Sequence, residues 1–144
     1  MNALPSKERL LAACRGEIRE DHLLLHWACE LSQIHQQLLA AGGRGNSEID
    51  GRRATLTLEI DRWVSRQVPV PTGGARVHTE ALGAVIDRLA QFTAAAYAVL
   101  SSASGGEELL GPWERLGELA IAYQDLIDEV SSGRRRLPCM GRGH

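Results

Sequence analysis

What this sequence does not contain excludes several classes of protein. It has 16 Lys and Arg against 18 Asp and Glu, so there is no excess of positive charge for a nucleic-acid surface. No apolar run reaches the roughly 18–20 residues that a membrane-spanning helix needs. The chain also opens without the basic start and apolar block of a signal peptide. We therefore expect a cytoplasmic protein that binds neither nucleic acid nor membrane.

The usual signatures of metal and cofactor chemistry are lacking as well. The three cysteines (Cys14, Cys29 and Cys139) form no C-x-x-C pair, which is typical of reduced thiols. His22, His26 and Glu30 have the spacing of metal ligands on a helix, but both histidines point away from the apolar stripe. There is no Glu-x-x-His pair, no Gly-rich phosphate loop and no Ser-His-Asp arrangement. We predict neither a metal nor a cofactor.

Apolar residues recur at intervals of three and four along most of the chain, which is the periodicity of amphipathic helices. The predicted helices are 7 to about 19, capped by Ser6, then 21–41, then 48–67, capped by Ser47, then 79–100 and 107–132. Four long helices with short Gly/Pro connections favour an all-α fold, an antiparallel up-down four-helix bundle with a short extra N-terminal helix. The expected divisions are a helix or arm over 1–20, the bundle over 21–133 and a basic flexible tail over 134–144.

The helix predicted over 79–100 carries polar groups on more than one side. Leu82, Val85 and Leu89 belong to its apolar stripe, which is expected to continue to Leu100. The other side holds Glu80 and Asp87 among small residues, which are Gly83, Ala84, Ala94 and Ala98. Exposed helix faces usually carry Lys, Glu, Gln and Arg, so small residues there indicate that a second element approaches closely.

Three sequence blocks resemble a known family. They are Glu59-Ile60-Asp61-Arg62-Trp63, Gly83 followed by Ile86-Asp87-Arg88-Leu89, and Tyr123-Gln124-Asp125-Leu126. Over roughly residues 22–136 the chain resembles domain-of-unknown-function family 4254, and the block that begins with Gly83 is the most specific. The resemblance implies a bacterial, all-helical protein and brings no established activity with it.

Arg53 is the most informative single residue. It falls on the apolar stripe of its helix, between Ile49 and Leu56, and is expected to be enclosed. A buried guanidinium without a partner would cost several kcal/mol, so it needs a carboxylate or an anionic ligand. Asp87 and Glu80 are the natural partners. Three interpretations stay open: an ion pair that fixes helix register, an anion-binding site, or a side chain that extends to solvent.

Asp87 and Glu80 lie two turns apart on one face, so they are candidates for a catalytic acid and base as well as for ion pairs with Arg53 or Arg88. His35 lies at the edge of an apolar stripe. It is either a satisfied core residue or a proton-transfer group, if Asp87 or Asp125 reaches it.

Two further polar residues, Tyr123 and Gln124, are predicted on the inner side of the last helix. They are positioned either to hydrogen-bond a ligand or to satisfy Arg53. Arg88 is grouped with them as a substrate-binding candidate, since its charge would attract an anion.

These residues lead to two hypotheses. In the first, a polar pocket binds a small anionic metabolite, and the protein is a cofactor-free proton-transfer, isomerase or lyase-type enzyme of a bacterial biosynthetic pathway. Arg53 would hold the anion, and Asp87, Glu80 or His35 would move a proton.

In the second hypothesis, the protein is a non-enzymatic homodimeric module. Its inner Arg and Asp groups only fix helix register, and the small-residue side of the helix over 79–100 contacts a second copy.

Overall fold

The computed structural model describes residues 4–67, 76–77, 80–101 and 107–138. Its elements are α1 (Lys7–Cys14), α2 (Leu23–Ala40), α3 (Ser47–Gln67), β1 (Arg76–Val77), α4 (Leu82–Ser101), α5 (Glu107–Ser131) and β2 (Arg135–Arg136). The two short strands pair in parallel with each other. The helices pack on one another as a bundle, so the prediction of an all-α fold is confirmed. The loop predicted over 68–74 and the turn over 102–106 lie outside the described residues.

Glycines end α1 and α2 in the same way. Gly16 has φ +91° and Gly42 has φ +71°, a left-handed backbone that only glycine adopts without strain. The next amide then reaches back five residues, from Glu17 to the carbonyl of Ala12 at 2.8 Å. Because this turn comes early, α1 ends at Cys14, and the prediction of a helix to about residue 19 is wrong.

The N-cap predicted from the sequence is confirmed for α1 and is wrong for α3. Ser6 caps α1 as predicted, since its hydroxyl accepts the amide of Arg9 at 3.3 Å. The prediction that Ser47 caps α3 is wrong. Asn46 does so, because its Oδ1 accepts the amide of Ile49 at 2.8 Å while its backbone carbonyl takes the first helical hydrogen bond.

α2 and α4 form the centre of the bundle. α4 contacts each of the other four helices, and α2 contacts α1, α3 and α4. The predicted apolar stripes supply most of the buried residues, including Leu24, Leu31, Leu56, Ile60, Leu82, Leu89, Leu116 and Ile127. Leu100 is an exception because it is 53% exposed, so the predicted stripe of α4 is wrong at its last position. None of the described helices combines the length and the apolar character that crossing a membrane requires.

The N-terminal helix is part of the core. Leu10 and Cys14 of α1 are buried, and α1 lies against α2, α4 and α5. α5 holds the start of this segment, because Tyr123 Oη donates to the carbonyl of Pro5 at 2.7 Å and the amide of Lys7 donates to Gln124 Oε1 at 2.9 Å.

The segment after α5 also packs on the bundle. Arg135 lies in β2 and pairs with Arg76 of β1, and its Nε donates to Glu129 Oε1 at 2.5 Å. Leu137 is only 3% exposed. Arg135 and Leu137, which belong to the predicted flexible tail, thus contact the rest of the chain, and 139–144 lie outside the described residues.

Candidate functional site

A bidentate ion pair joins the second turn of α3 to the second turn of α4. Arg53 Nη2 donates to Asp87 Oδ2 at 2.7 Å, and Arg53 Nε lies 3.0 Å and 3.1 Å from Oδ2 and Oδ1. The side chain of Asp87 is 12% exposed and that of Arg53 is 38% exposed. The expectation that Arg53 is enclosed is therefore wrong. The aliphatic part of Arg53 lies along the contact between α3 and α4, and its guanidinium extends toward solvent. The buried member of the pair is therefore Asp87.

α2 contributes the third member of this cluster. His35 is 4% exposed, and its Nε2 lies 2.8 Å from Asp87 Oδ1. An ionised carboxylate only accepts hydrogen bonds, so Nε2 carries the proton and donates. Asp87 thus accepts hydrogen bonds from α2 and from α3, and the three helices meet at one carboxylate. We call His35, Asp87 and Arg53 the polar triad.

Two opposing effects set the charge state of Asp87. Burial alone would raise the pKa of this carboxyl group. The hydrogen bonds from His35 and Arg53 and their charges outweigh burial, so the pKa of Asp87 is lowered from its ordinary value. The triad therefore holds Asp87 ionised, and an ionised carboxylate in this setting is a hydrogen-bond acceptor and a counter-ion.

A second contact holds the first turn of α4 against α3. Asp61 Oδ1 accepts the amide of Gly83 at 2.6 Å, so a side chain of α3 satisfies a free donor at the start of α4. A Cβ on Gly83 would lie 2.4 Å from the carbonyl oxygen of Thr57, so only glycine fits this approach. The small-residue side of α4 is thus covered, at its N-terminal end, by a helix of the same chain.

A groove of about 380 Å³ runs along this contact. It is lined by Asp50, Arg53, Ala54, Thr57, Asp61, Ala84 and Asp87. Three carboxylates face one guanidinium, and that guanidinium already binds Asp87. Burial raises the pKa of Asp61, while its hydrogen bond from Gly83 lowers it in part. The groove therefore carries more negative than positive charge.

Glu80 and Arg88 lie outside the triad. They form an ion pair with each other, in which Arg88 Nη2 donates to Glu80 Oε2. Both side chains are about one third exposed, at 35% for Glu80 and 39% for Arg88. Glu80 therefore serves as the counter-ion of Arg88, and the structure brings neither residue into contact with Arg53.

Tyr123 and Gln124 also lie elsewhere. Both belong to the contact between α5 and the start of α1, where Tyr123 is fully buried and Gln124 also donates to Asp128 Oδ1 at 3.0 Å. Burial raises the pKa of the Tyr123 phenol. The alternative in which these two residues satisfy Arg53 is wrong, because their hydrogen-bond partners are Pro5, Lys7 and Asp128.

His22 and Glu30, two of the three residues with metal-ligand spacing, have partners within the chain. His22 Nδ1 accepts the amide of Leu24 at 3.2 Å, and its ring lies 5.1 Å from that of Trp63. Glu30 accepts hydrogen bonds from Arg52 at 2.5 Å and 2.8 Å. Among the described residues there is no group of three or more His, Cys, Asp or Glu side chains placed to hold a metal ion.

One family model, described as a protein of unknown function (DUF4254), matches residues 30–139, which is most of the chain. The chain belongs to this family. The triad, Asp61 and Gly83 all lie within the DUF4254 match. Comparison with curated proteins and with solved structures gives no match.

The sequence interpretation found all three members of the triad but missed the role of Asp61. Arg53, Thr57 and Asp61 are spaced at i, i+4 and i+8, so they lie on one face of α3. Gly83 and Asp87 have the matching i, i+4 spacing on α4. If these two series are aligned antiparallel with Arg53 beside Asp87, Asp61 falls beside Gly83 at the start of α4.

Proposed function

We propose that this DUF4254 protein is a non-catalytic, homodimeric interaction module whose polar triad fixes the packing of its helices. The observation that carries the proposal is that Asp87 accepts hydrogen bonds from two other helices, through His35 on α2 and Arg53 on α3. The Nε and Nη2 atoms of Arg53 are both bonded to Asp87, and the remaining lone pairs of Asp87 accept from His35. One nearly buried carboxylate is thereby hydrogen-bonded from two other helices, as a contact that fixes helix packing requires.

The proposal includes the up-down order of the four long helices. Contacts between consecutive helices run in opposite directions. Between α2 and α3, Glu30 meets Arg52 and His22 meets Trp63. Between α3 and α4, Arg53 meets Asp87 and Asp61 meets Gly83. In such an order the triad fixes the register of α3 against α4, because a slip of α3 along α4 would separate Arg53 from Asp87.

Substitution of Arg53 and of Asp87, in parallel, tests the structural role. We expect Arg53→Ala and Asp87→Ala each to lower the free energy of unfolding by about 2–4 kcal/mol, because each leaves a polar group at the helix contact without its partner. Urea unfolding followed by circular dichroism measures this. Wild-type stability in both variants would contradict the proposal.

A second candidate function is the binding of a small anionic metabolite in the groove beside Arg53. One observation favours it: within the described residues, Nη1 of Arg53 makes no hydrogen bond, and its side chain is 38% exposed at the groove. Asp50 and Asp61 beside it weigh against an anion, which is why this candidate stands second.

Thermal unfolding with added small carboxylates and phosphate tests this candidate. Binding predicts a rise in melting temperature that grows with ligand concentration in the wild type and is lost in Arg53→Gln. Arg88→Gln is the matched control, since Arg88 is equally exposed but lies outside the groove lining. The absence of any rise, or an equal rise in both variants, would remove the candidate.

A further inference from the structure

We draw no further inference here: the strongest candidate, the groove of about 560 Å³ between the C-terminal ends of α1, α2 and α4, has a floor of buried Cys14, Thr93 and Ala94, but nothing in the described part of the structure shows what covers it.

Discussion

At the scale of single residues, one carboxylate joins three helices. Asp87 accepts hydrogen bonds from His35 and from Arg53 while nearly buried. One turn earlier, Gly83 lets the backbone of α3 approach closely, and Asp61 uses that approach to cap α4. The triad and the glycine contact therefore act on the same pair of helices.

Replacing Gly83 with alanine should destabilise the protein despite the better helix propensity of alanine. The new Cβ would lie 2.4 Å from the carbonyl oxygen of Thr57 and 2.8 Å from Asp61 Oδ1, so α3 must shift. We expect a loss of about 2–4 kcal/mol in the free energy of unfolding, measured with urea.

Gly117→Ala is the control for this change. Gly117 also lies inside a helix, but a Cβ there would meet nothing within 4 Å. It should raise stability by about 0.5–1 kcal/mol. Equal effects of the two substitutions would contradict the close contact between α3 and Gly83.

Ionisation of Asp87 should contribute to the pH dependence of the free energy of unfolding. Its pKa in the folded protein is lowered, so its contribution to stability is complete above the ordinary value of about 3.9 and is lost as the pH falls through the lowered pKa. The difference in unfolding free energy between wild type and Asp87→Asn should therefore be constant near neutral pH and shrink below about pH 4.

Asp61 provides a control with the opposite sign. Burial raises the pKa of Asp61, so its ionisation opposes folding as the pH rises through the raised value. The difference between wild type and Asp61→Asn should shift in favour of the variant with rising pH. A difference between wild type and Asp87→Asn that does not shrink in acid would contradict the lowered pKa of Asp87.

At the scale of the helices, the ends depend on individual capping residues. Asn46 caps α3, and the adjacent Ser47 is already inside the helix. Asn46→Ala should lower the free energy of unfolding by about 1 kcal/mol, whereas Ser47→Ala should change it by only a few tenths. Urea unfolding of the two variants checks this, and the reverse order would restore Ser47 as the cap.

Most of the helices follow from the sequence because the 3.6-residue apolar period is a local property. The pairing of Arg53 with Asp87 also follows, since a guanidinium on an apolar stripe needs a nearby carboxylate. The exposure of Leu100 does not follow, because the apolar period alone does not show where packing against α4 ends. The partners of Tyr123 and Gln124 do not follow either, since these contacts join the two ends of the described chain.

At the scale of the whole molecule, α1 completes the core by packing between α2 and α5. The buried hydroxyl of Tyr123 on α5 donates to the carbonyl of Pro5 and so holds the start of α1 against α5. Tyr123→Phe keeps the ring but leaves that carbonyl unsatisfied, so it should lower stability by about 1–2 kcal/mol. Amide exchange should quicken in α1 more than in α3. Equal exchange in both helices would show that α1 is held by apolar contacts alone.

The central claim is that the Arg53–Asp87 pair stabilises the packing of α3 against α4 and is not a substrate site. A double-mutant cycle with Arg53→Gln, Asp87→Asn and the double variant measures it most directly, through the coupling energy in urea unfolding. Because Arg53 is partly exposed, the account predicts a favourable coupling of about 1–2 kcal/mol, with the double variant less destabilised than the sum of the single ones. A coupling of zero would contradict it.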